Sequence, residues 1–538
     1  MLADDAEFEA NQRRFARQLS ARRIHDLLAG HAQAIPAAEA AVDGETRITY
    51  AQLSERVDAI ARALIASGVA PGDRVAIMTP PAIDFWVSYL AATSIGAIWM
   101  GLNPRYQGPE YAYLLGDATP AIVFSVVAYD GRDYLAELQE VGPDVPQFVS
   151  LSAPVGRATG WDSFLARGAT VSDEALAARR AAVDPEDIAV IVYTSGTTGK
   201  PKGAMLSHRA IVSIAQTNLC WMADDLESTV SVAPINHVGA LNNVCMNVFA
   251  YGGRIIFHHR VDLPELAAIS QREQPTYLVA SPTSFVMFAA HPAEGLSRMR
   301  HTRLIVFGGG KTAEPLLAPV AAEGFKLSNV YGQTETCGIV TSTRIGASTA
   351  IMSETIGKPL PGADLRIARA DGSIADIDET GEIQVLGPYC MSGYFNRPEA
   401  TAEAFTADGW LRTGDLGVKR ADGNFAFVGR LKEMYKSGGY NIYPVEIELA
   451  LADHPGVAAS AVLPVPHPLF QEVGHAFVEP KPGATLSGDE LRDFLKPRLA
   501  NYKIPKSFSF ETLPLLPNSK IDKQALKAKL AAQAEKAA

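Results

Sequence analysis

Val192 to His208 read VYTSGTTGKPKGAMLSH and follow directly on the apolar run Ile188-Ala189-Val190-Ile191. An apolar run of this kind predicts a strand, and the dense Gly, Ser, Thr and Lys after it predict a loop that grips an anion. Gly196, Gly199 and Gly203 let backbone N–H groups approach closely, while the hydroxyls of Thr194, Ser195, Thr197 and Thr198 add donors. Lys200 and Lys202 add positive charge. The implied ligand is a nucleotide phosphate. An ordinary P-loop is excluded, because that motif needs Gly, four residues, then Gly-Lys-Ser/Thr, and here Gly199-Lys200 is followed by Pro201. Gly308-Gly309-Gly310-Lys311-Thr312 shows the tail of the same motif, but the place of its first glycine holds Ile305.

Working outward, 538 residues exceed what one hydrophobic core serves, so two or more domains are expected. A net charge of -11 offers no footprint for a phosphate backbone, which disfavours nucleic acid as a partner. Cys220, Cys245, Cys337 and Cys390 lack CxxC spacing, pointing to a reducing, cytoplasmic setting without structural zinc. The N-terminus MLADDAEFEANQRRFARQL carries acids ahead of its basic residues and no apolar core, so it does not read as a secretory signal. Phe85 to Pro104 is uncharged and near a bilayer span in length, but Ser88, Thr93, Ser94, Gly96 and Gly101 interrupt it. It reads as a buried helix leading into a strand, with no transmembrane segment expected. Peripheral membrane contact is compatible with a greasy substrate, and a monomer or homodimer is expected.

The first 340 residues alternate helical and strand patterns, with a helix over 52–67, a strand over 74–78 and a helix over 84–95. Further strands are expected at 121–126, 254–257, 277–279 and 304–307. This is α/β architecture with largely parallel sheets. From Glu354 short strands alternate with turn signals at Asp371-Gly372, Thr380-Gly381, Asp408-Gly409 and Asp422-Gly423, as in a small β-barrel or meander. From about residue 433 a compact α+β tail follows. The expected joint is at Arg430-Leu431-Lys432, dividing the chain into 1–430 and 431–538.

The phosphate loop resembles that of the acyl-adenylate-forming superfamily, and further motifs match that family in order along nearly the whole chain. Asn329-Val330-Tyr331-Gly332-Gln333-Thr334-Glu335-Thr336 resembles its adenine and magnesium segment. The resemblance implies that Tyr331 stacks on adenine, Asn329 meets its amine, Gly332 and Gln333 line the nucleotide and Thr334 nears the α-phosphate. It also implies that Glu335, with Thr194, holds Mg²⁺, a hard cation suited to oxygen ligands. Trp410-Leu411-Arg412-Thr413-Gly414-Asp415 resembles the ribose segment, so Asp415 would accept from ribose hydroxyls with Arg430 nearby. Gly308, Gly309 and Gly310 fall where the family lays backbone along adenine and the acyl tunnel. His237, in Pro234-Ile235-Asn236-His237-Val238-Gly239, matches a position beside the acyl group, where its task is steric and positional. Asn236, Gly308, Gly332 and Gly338 complete the expected acyl site, and these residues with Val238 and Gly239 suggest a roomy one.

Pro517-Asn518-Ser519-Lys520-Ile521-Asp522 occupies the place of the family's catalytic lysine loop, with Ser519 where glycine is common. Lys520 is the residue chosen over Lys503 and Lys506. Lys432 matches the hinge about which the family's C-terminal domain rotates, and Lys436-Ser437-Gly438-Gly439 resembles the CoA tunnel. The resemblance implies an ATP-dependent acid–CoA ligase that forms acyl-AMP and pyrophosphate, then acyl-CoA and AMP. Its cofactors would be ATP, Mg²⁺ and CoA, and its partner a small-molecule carboxylic acid, medium-chain aliphatic or aryl. A carrier-loading adenylation enzyme and a luciferase-like oxidase are the alternatives. The sequence does not name the acid.

Overall fold

The computed structural model describes residues 5–194, 201–233, 236–260, 262–282, 284–285, 298–310, 312–437, 440–516 and 520–537. Two large sheets form the N-terminal part. One has nine strands, with Arg254–Phe257, Ser228–Ser231, Tyr277–Ala280, Leu304–Gly308 and Lys326–Gln333 running parallel through its middle. The other has eight, with Ile188–Thr194, Ile98–Leu102, Arg74–Met78, Ile122–Ser125 and Phe148–Ser150 parallel. Antiparallel strands close selected edges, among them Lys202–Ser207 against Ile188–Thr194. The strand expectations therefore hold to within a residue or two.

Helices fill the space between the sheets. Tyr50–Ala66 starts at Thr49, whose hydroxyl accepts from Gln52 N while the Gln52 amide accepts from Thr49 N, a reciprocal cap. Its Leu53, Val57, Ile60, Ala61 and Leu64 recur at helical spacing and are all buried. The next helix, Ile83–Ser94, is buried on every side except at Asp84, which explains the absence of charge from Phe85 onward. Trp86, Tyr89 and Phe85 pack there against Trp99, Phe249 and Phe257. Phe85 to Pro104 is thus a core helix followed by the strand Ile98–Leu102. Among the described residues no helix is long and apolar enough to cross a membrane.

The turn-rich region after Glu354 forms a four-stranded antiparallel meander, Asp364–Ala368, Gly381–Leu386, Leu411–Lys419 and Phe425–Arg430. Beyond Arg430 lies a separate five-stranded sheet with helices Pro444–Ala452, Gly488–Leu495 and Lys523–Ala537, and it carries its own buried clusters. The chain is therefore α/β with a large N-terminal part and a smaller α+β C-terminal part.

The inference of a roomy acyl site from its glycines is corrected by the packing. A Cβ on Gly332 would lie 1.7 Å from the Gly338 carbonyl oxygen, and one on Gly308 would lie 2.4 Å from the Val330 carbonyl oxygen. Neighbouring backbone already occupies the side-chain space, so these glycines permit close strand approach and do not enlarge a cavity. Gly332→Ala is expected to cost about 3 kcal/mol, near the upper end for overpacking. Gly116→Ala, within a helix and with open space around it, is expected to gain roughly 0.5–1 kcal/mol. Urea unfolding midpoints of the two variants check this, and a neutral Gly332→Ala would refute the packing argument.

Candidate active site

The motif residues gather at the carboxyl ends of the parallel strands, where open α/β sheets bind ligands. Thr194 ends one strand, Lys202 begins its antiparallel partner, and the two residues are paired in register. Ser195, Gly196, Thr197, Thr198 and Gly199 lie outside the described residues, as do Lys311, Gly438, Gly439 and Ser519.

The flanks of the phosphate loop are held by residues that the sequence reading missed. Tyr193 donates to Asp117 (2.7 Å), which also accepts from Arg397 (2.5 Å), and Tyr113 donates to the Pro201 carbonyl (2.8 Å). Both flanks of the loop are thus tied to one partly buried knot of Tyr113, Asp117 and Arg397. Tyr394 adds a second tie: its hydroxyl donates to Glu335 Oε1 (2.8 Å), and the Lys202 ammonium lies 4.9 Å from its ring centroid. Burial and the Glu335 carboxylate push the Tyr394 phenol well up, which keeps it a donor. Gly393–Tyr394 forms a short strand just before the helix that starts at Pro398, and no motif in the sequence drew attention to it.

Asn329 donates both amide hydrogens to the Met352 and Thr355 carbonyls (2.9 and 2.7 Å), which leaves its oxygen as the end able to meet a base amine. Tyr331 donates to Asp415 Oδ2 (2.8 Å), while Arg430, directly across the meander, approaches Asp415 Oδ1 at 3.4 Å. Burial raises the Asp415 carboxyl, opposed by Arg430, Tyr331 and Lys520. Gln333 donates to the Thr413 carbonyl (3.4 Å), and Thr334 is buried beside Glu335. Gly309 and Gly310 follow the strand that ends at Gly308.

Lys520 is drawn to the same place. Its side chain as a whole is exposed, yet its ammonium end is lowered from the ordinary lysine value, first by desolvation and then by Arg430. Asp415 and Glu433 act in the opposite sense. His237 is exposed as a residue, yet desolvation of its ring, then the Lys520 charge, push it down to about 4, so the ring is neutral at neutral pH. Its Nδ1 accepts from Gly239 N (3.0 Å), which leaves the proton on Nε2. Asn236 donates to Tyr106 (3.2 Å). Lys432 lies in the turn after the last meander strand, and Lys436 and Ser437 belong to the C-terminal strand Tyr435–Ser437.

Among the described residues no group of three or more His, Cys, Asp or Glu forms a metal cage. Glu335, one oxygen fixed by Tyr394, instead fits an ion such as Mg²⁺ that takes one or two carboxylates and completes its shell with phosphates. A cavity of 640 Å³ elsewhere, lined by Glu39, Arg254, Glu273 and Arg303, lies at the amino ends of the strands. Glu273, 1 % exposed, is paired there with Arg47, Arg254 and Arg272, so its buried charge is matched within the fold.

Residues 28–395 match the model of the AMP-binding enzyme family, and residues 446–521 match that of the AMP-binding enzyme C-terminal domain. A feruloyl-CoA synthase of Amycolatopsis sp is 36% identical over 493 residues, covering 90% of this chain and 94% of the relative. A 3-[(3aS,4S,7aS)-7a-methyl-1,5-dioxo-octahydro-1H-inden-4-yl]propanoyl:CoA ligase of Rhodococcus jostii (strain RHA1) is 34% identical over 499 residues, with 91% and 95% covered. The crystal structure of ATP-bound MatB from Rhodopseudomonas palustris superposes with a TM-score of 0.83 at 29% identity, covering 94% of this chain and 98% of that one. Fold and relatives together are those of an acyl-adenylate-forming enzyme. The chain belongs to the AMP-binding enzyme family, on its branch of AMP-forming acid–CoA ligases, which use ATP, Mg²⁺ and CoA.

Tyr394→Phe is expected to raise the Mg²⁺ concentration needed for pyrophosphate release roughly 10- to 100-fold, as loss of a partner behind a metal ligand does. Metal-free AMP binding, followed by calorimetry, should stay within about twofold of wild type. An unchanged Mg²⁺ dependence would remove the role assigned to Tyr394.

Proposed function

We propose that this ligase activates a monocarboxylic acid whose acyl part is medium-length aliphatic or aryl, in two half-reactions that share one nucleotide site. The observation that carries the reading is the Tyr331–Asp415–Arg430 cluster, with the Lys520 charge acting on both Asp415 and His237 and Glu335 held by Tyr394. A carboxylate attacking the α-phosphate of ATP must approach another anion, and charge builds on the phosphate oxygens as pyrophosphate departs. Cations and donors placed in advance offset that repulsion.

In this reading the loop from Thr194 to Lys202 grips the β- and γ-phosphates, leaving the α-phosphate open to attack. Glu335, with Thr194, would hold Mg²⁺, which when bound neutralises phosphate charge. Asn329 and Tyr331 locate the adenine, and Asp415 with Arg430 holds the ribose. Lys520 bridges acyl and phosphate oxygens, and His237 packs beside the acyl carboxylate. His237 is not assigned as a base, because the acid arrives ionised at neutral pH.

For thioester formation Lys520 has to leave, and we assign Lys432, between the parts 1–430 and 431–538, as the hinge. Lys436 and Ser437, with Gly438 and Gly439, would then line the thiol path. The free cysteines fit a cytoplasmic enzyme.

With MgATP and a panel of acids, AMP release should depend on CoA and be matched by thioester. Release without CoA and without thioester would refute the ligase assignment. Lys520→Ala should slow acyl-AMP formation on the order of 10²–10³-fold, as loss of one transition-state donor does, while sparing thioester formation from supplied acyl-AMP. Equal loss in both halves would refute the division of labour. Because desolvation and Arg430 lower the Lys520 ammonium, acyl-AMP formation should fall on the alkaline side at a pH below that of an ordinary lysine. A pH profile of each half-reaction checks this, and the same alkaline fall in both would remove Lys520 as its source.

A further inference from the structure

We propose that Asp117 and Arg397, with Tyr113 and Tyr193, are positioning residues for the first half-reaction alone: they hold Thr194 and Lys202 where the β- and γ-phosphates of ATP are gripped, and they take no part in thioester formation. This rests on the acid-activating reading above and adds to it the residues that decide how tightly MgATP is held.

The four residues come from three parts of the chain. Tyr193 is the last residue but one of the strand Ile188–Thr194, Tyr113 and Asp117 stand one turn apart on the helix Gly108–Ala118, and Arg397 precedes the helix Pro398–Ala404. Asp117 accepts from Tyr193 through Oδ2 and from Arg397 through Oδ1, so both carboxylate oxygens are engaged. Arg397 also donates to the Tyr113 hydroxyl (3.2 Å), which in turn donates to the Pro201 carbonyl. A chain of bonds, the central ones charge-assisted, thus runs from Tyr193 before residues 195–200 to Pro201 after them.

Alternation along the strand decides which face this chain holds. Val190 and Val192 are buried in the large core, whereas Ile191 and Tyr193 belong to the separate cluster that contains Tyr111, Leu114 and Leu115 of the helix Gly108–Ala118. Tyr193 therefore anchors its strand from the helix-covered face, and the next residue, Thr194, turns to the opposite one. Across the ladder from Tyr193 stands Gly203, where an added Cβ would lie 3.2 Å from the Tyr193 ring and 2.6 Å from Ile191. Glycine there leaves the ring room to cross the partner strand towards Asp117.

The segment that carries Arg397 also serves the metal ligand. Ser392 N and Phe395 N donate to the Met205 and Gly203 carbonyls (2.9 and 2.8 Å), which pairs the short strand Gly393–Tyr394 with the edge of Lys202–Ser207. Tyr394 on that strand holds Glu335, and Arg397, three residues on, holds Asp117. A bare carboxylate beside flanks that receive an anion would repel it. Arg397 cancels the Asp117 charge, so the flanks are fixed without net negative charge. Once pyrophosphate has left, nothing remains at these flanks to be gripped, and the second half-reaction draws only on the adenosine, acyl and thiol sites.

The test uses the full chain with Asp117→Asn, Arg397→Gln and Tyr113→Phe. The calorimetric Kd of α,β-methylene-ATP with Mg²⁺ should rise roughly 10- to 100-fold in the first two, and about 2- to 10-fold in Tyr113→Phe, which removes one hydroxyl and keeps the ring. Arg397→Lys, which restores the charge beside Asp117 without the planar fork, should recover part of the Arg397→Gln loss. In every variant the Kd of AMP, and the rate of thioester formation from supplied octanoyl-AMP or cinnamoyl-AMP and CoA, should stay within about twofold of wild type. An equal loss for AMP or for thioester formation would reduce the four residues to a general structural role and overturn the proposal. Unshifted analogue Kd values in variants of an enzyme that binds the analogue would overturn the proposal alone. Failure of the wild type to bind the analogue would overturn the acid-activating reading and the proposal with it.

Discussion

One hydrogen bond organises this enzyme, from the Tyr331 hydroxyl to the Asp415 carboxylate. Tyr331 belongs to the nine-stranded sheet and Asp415 to the meander, so the bond closes one layer on the other beside the phosphate loop. Arg430 joins the pair from the strand that leads into the C-terminal part, and Lys520 returns from that part to the same charges. Because the carboxylate is buried, water screens these interactions poorly, and each partner feels the others strongly. The phenol, pushed up by burial and by Asp415, remains a donor throughout.

Around this point the chain separates two kinds of polar chemistry. At the amino ends of the strands Glu39 and Glu273 are matched by Arg47, Arg254 and Arg272. At the carboxyl ends the donors and acceptors are held in place but left with capacity, as Asn329 Oδ1 and Glu335 Oε2 are. A polar group that already has all its partners stabilises a fold, whereas one with a remaining lone pair can bind a ligand.

Much of the fold was legible because parallel strands buried on both faces read as unbroken apolar runs, as at Arg74–Met78 and Arg254–Phe257. The residues proposed for the nucleotide stood out for another reason: they cluster in short contiguous motifs at strand ends. Tyr113, Asp117 and Arg397 were not, since their knot joins residues 280 positions apart and no local pattern announces it. The π-helix Gly239–Met246 escaped too, because its sequence GALNNVCM has an ordinary apolar content and its width is set by packing. Glycines misled in the opposite direction. A missing side chain suggested empty space at Gly332 and Gly308, but only the three-dimensional neighbours show that backbone fills it.

The segments either side of 517–519 pair antiparallel, with Leu516 N donating to the Lys520 carbonyl at 2.7 Å and Asp522 N donating to the Pro514 carbonyl at 2.8 Å. Three residues on, Lys523 is clamped between Glu433, the residue after Lys432, and Glu448 on the helix Pro444–Ala452, at 2.7 and 3.0 Å. In the proposed rotation, the Lys520 segment and the residues just after Lys432 would therefore move as one stiff crank. A change in two or three backbone angles near Lys432 would reach the ammonium as a long arc, with little lost to bending along the way.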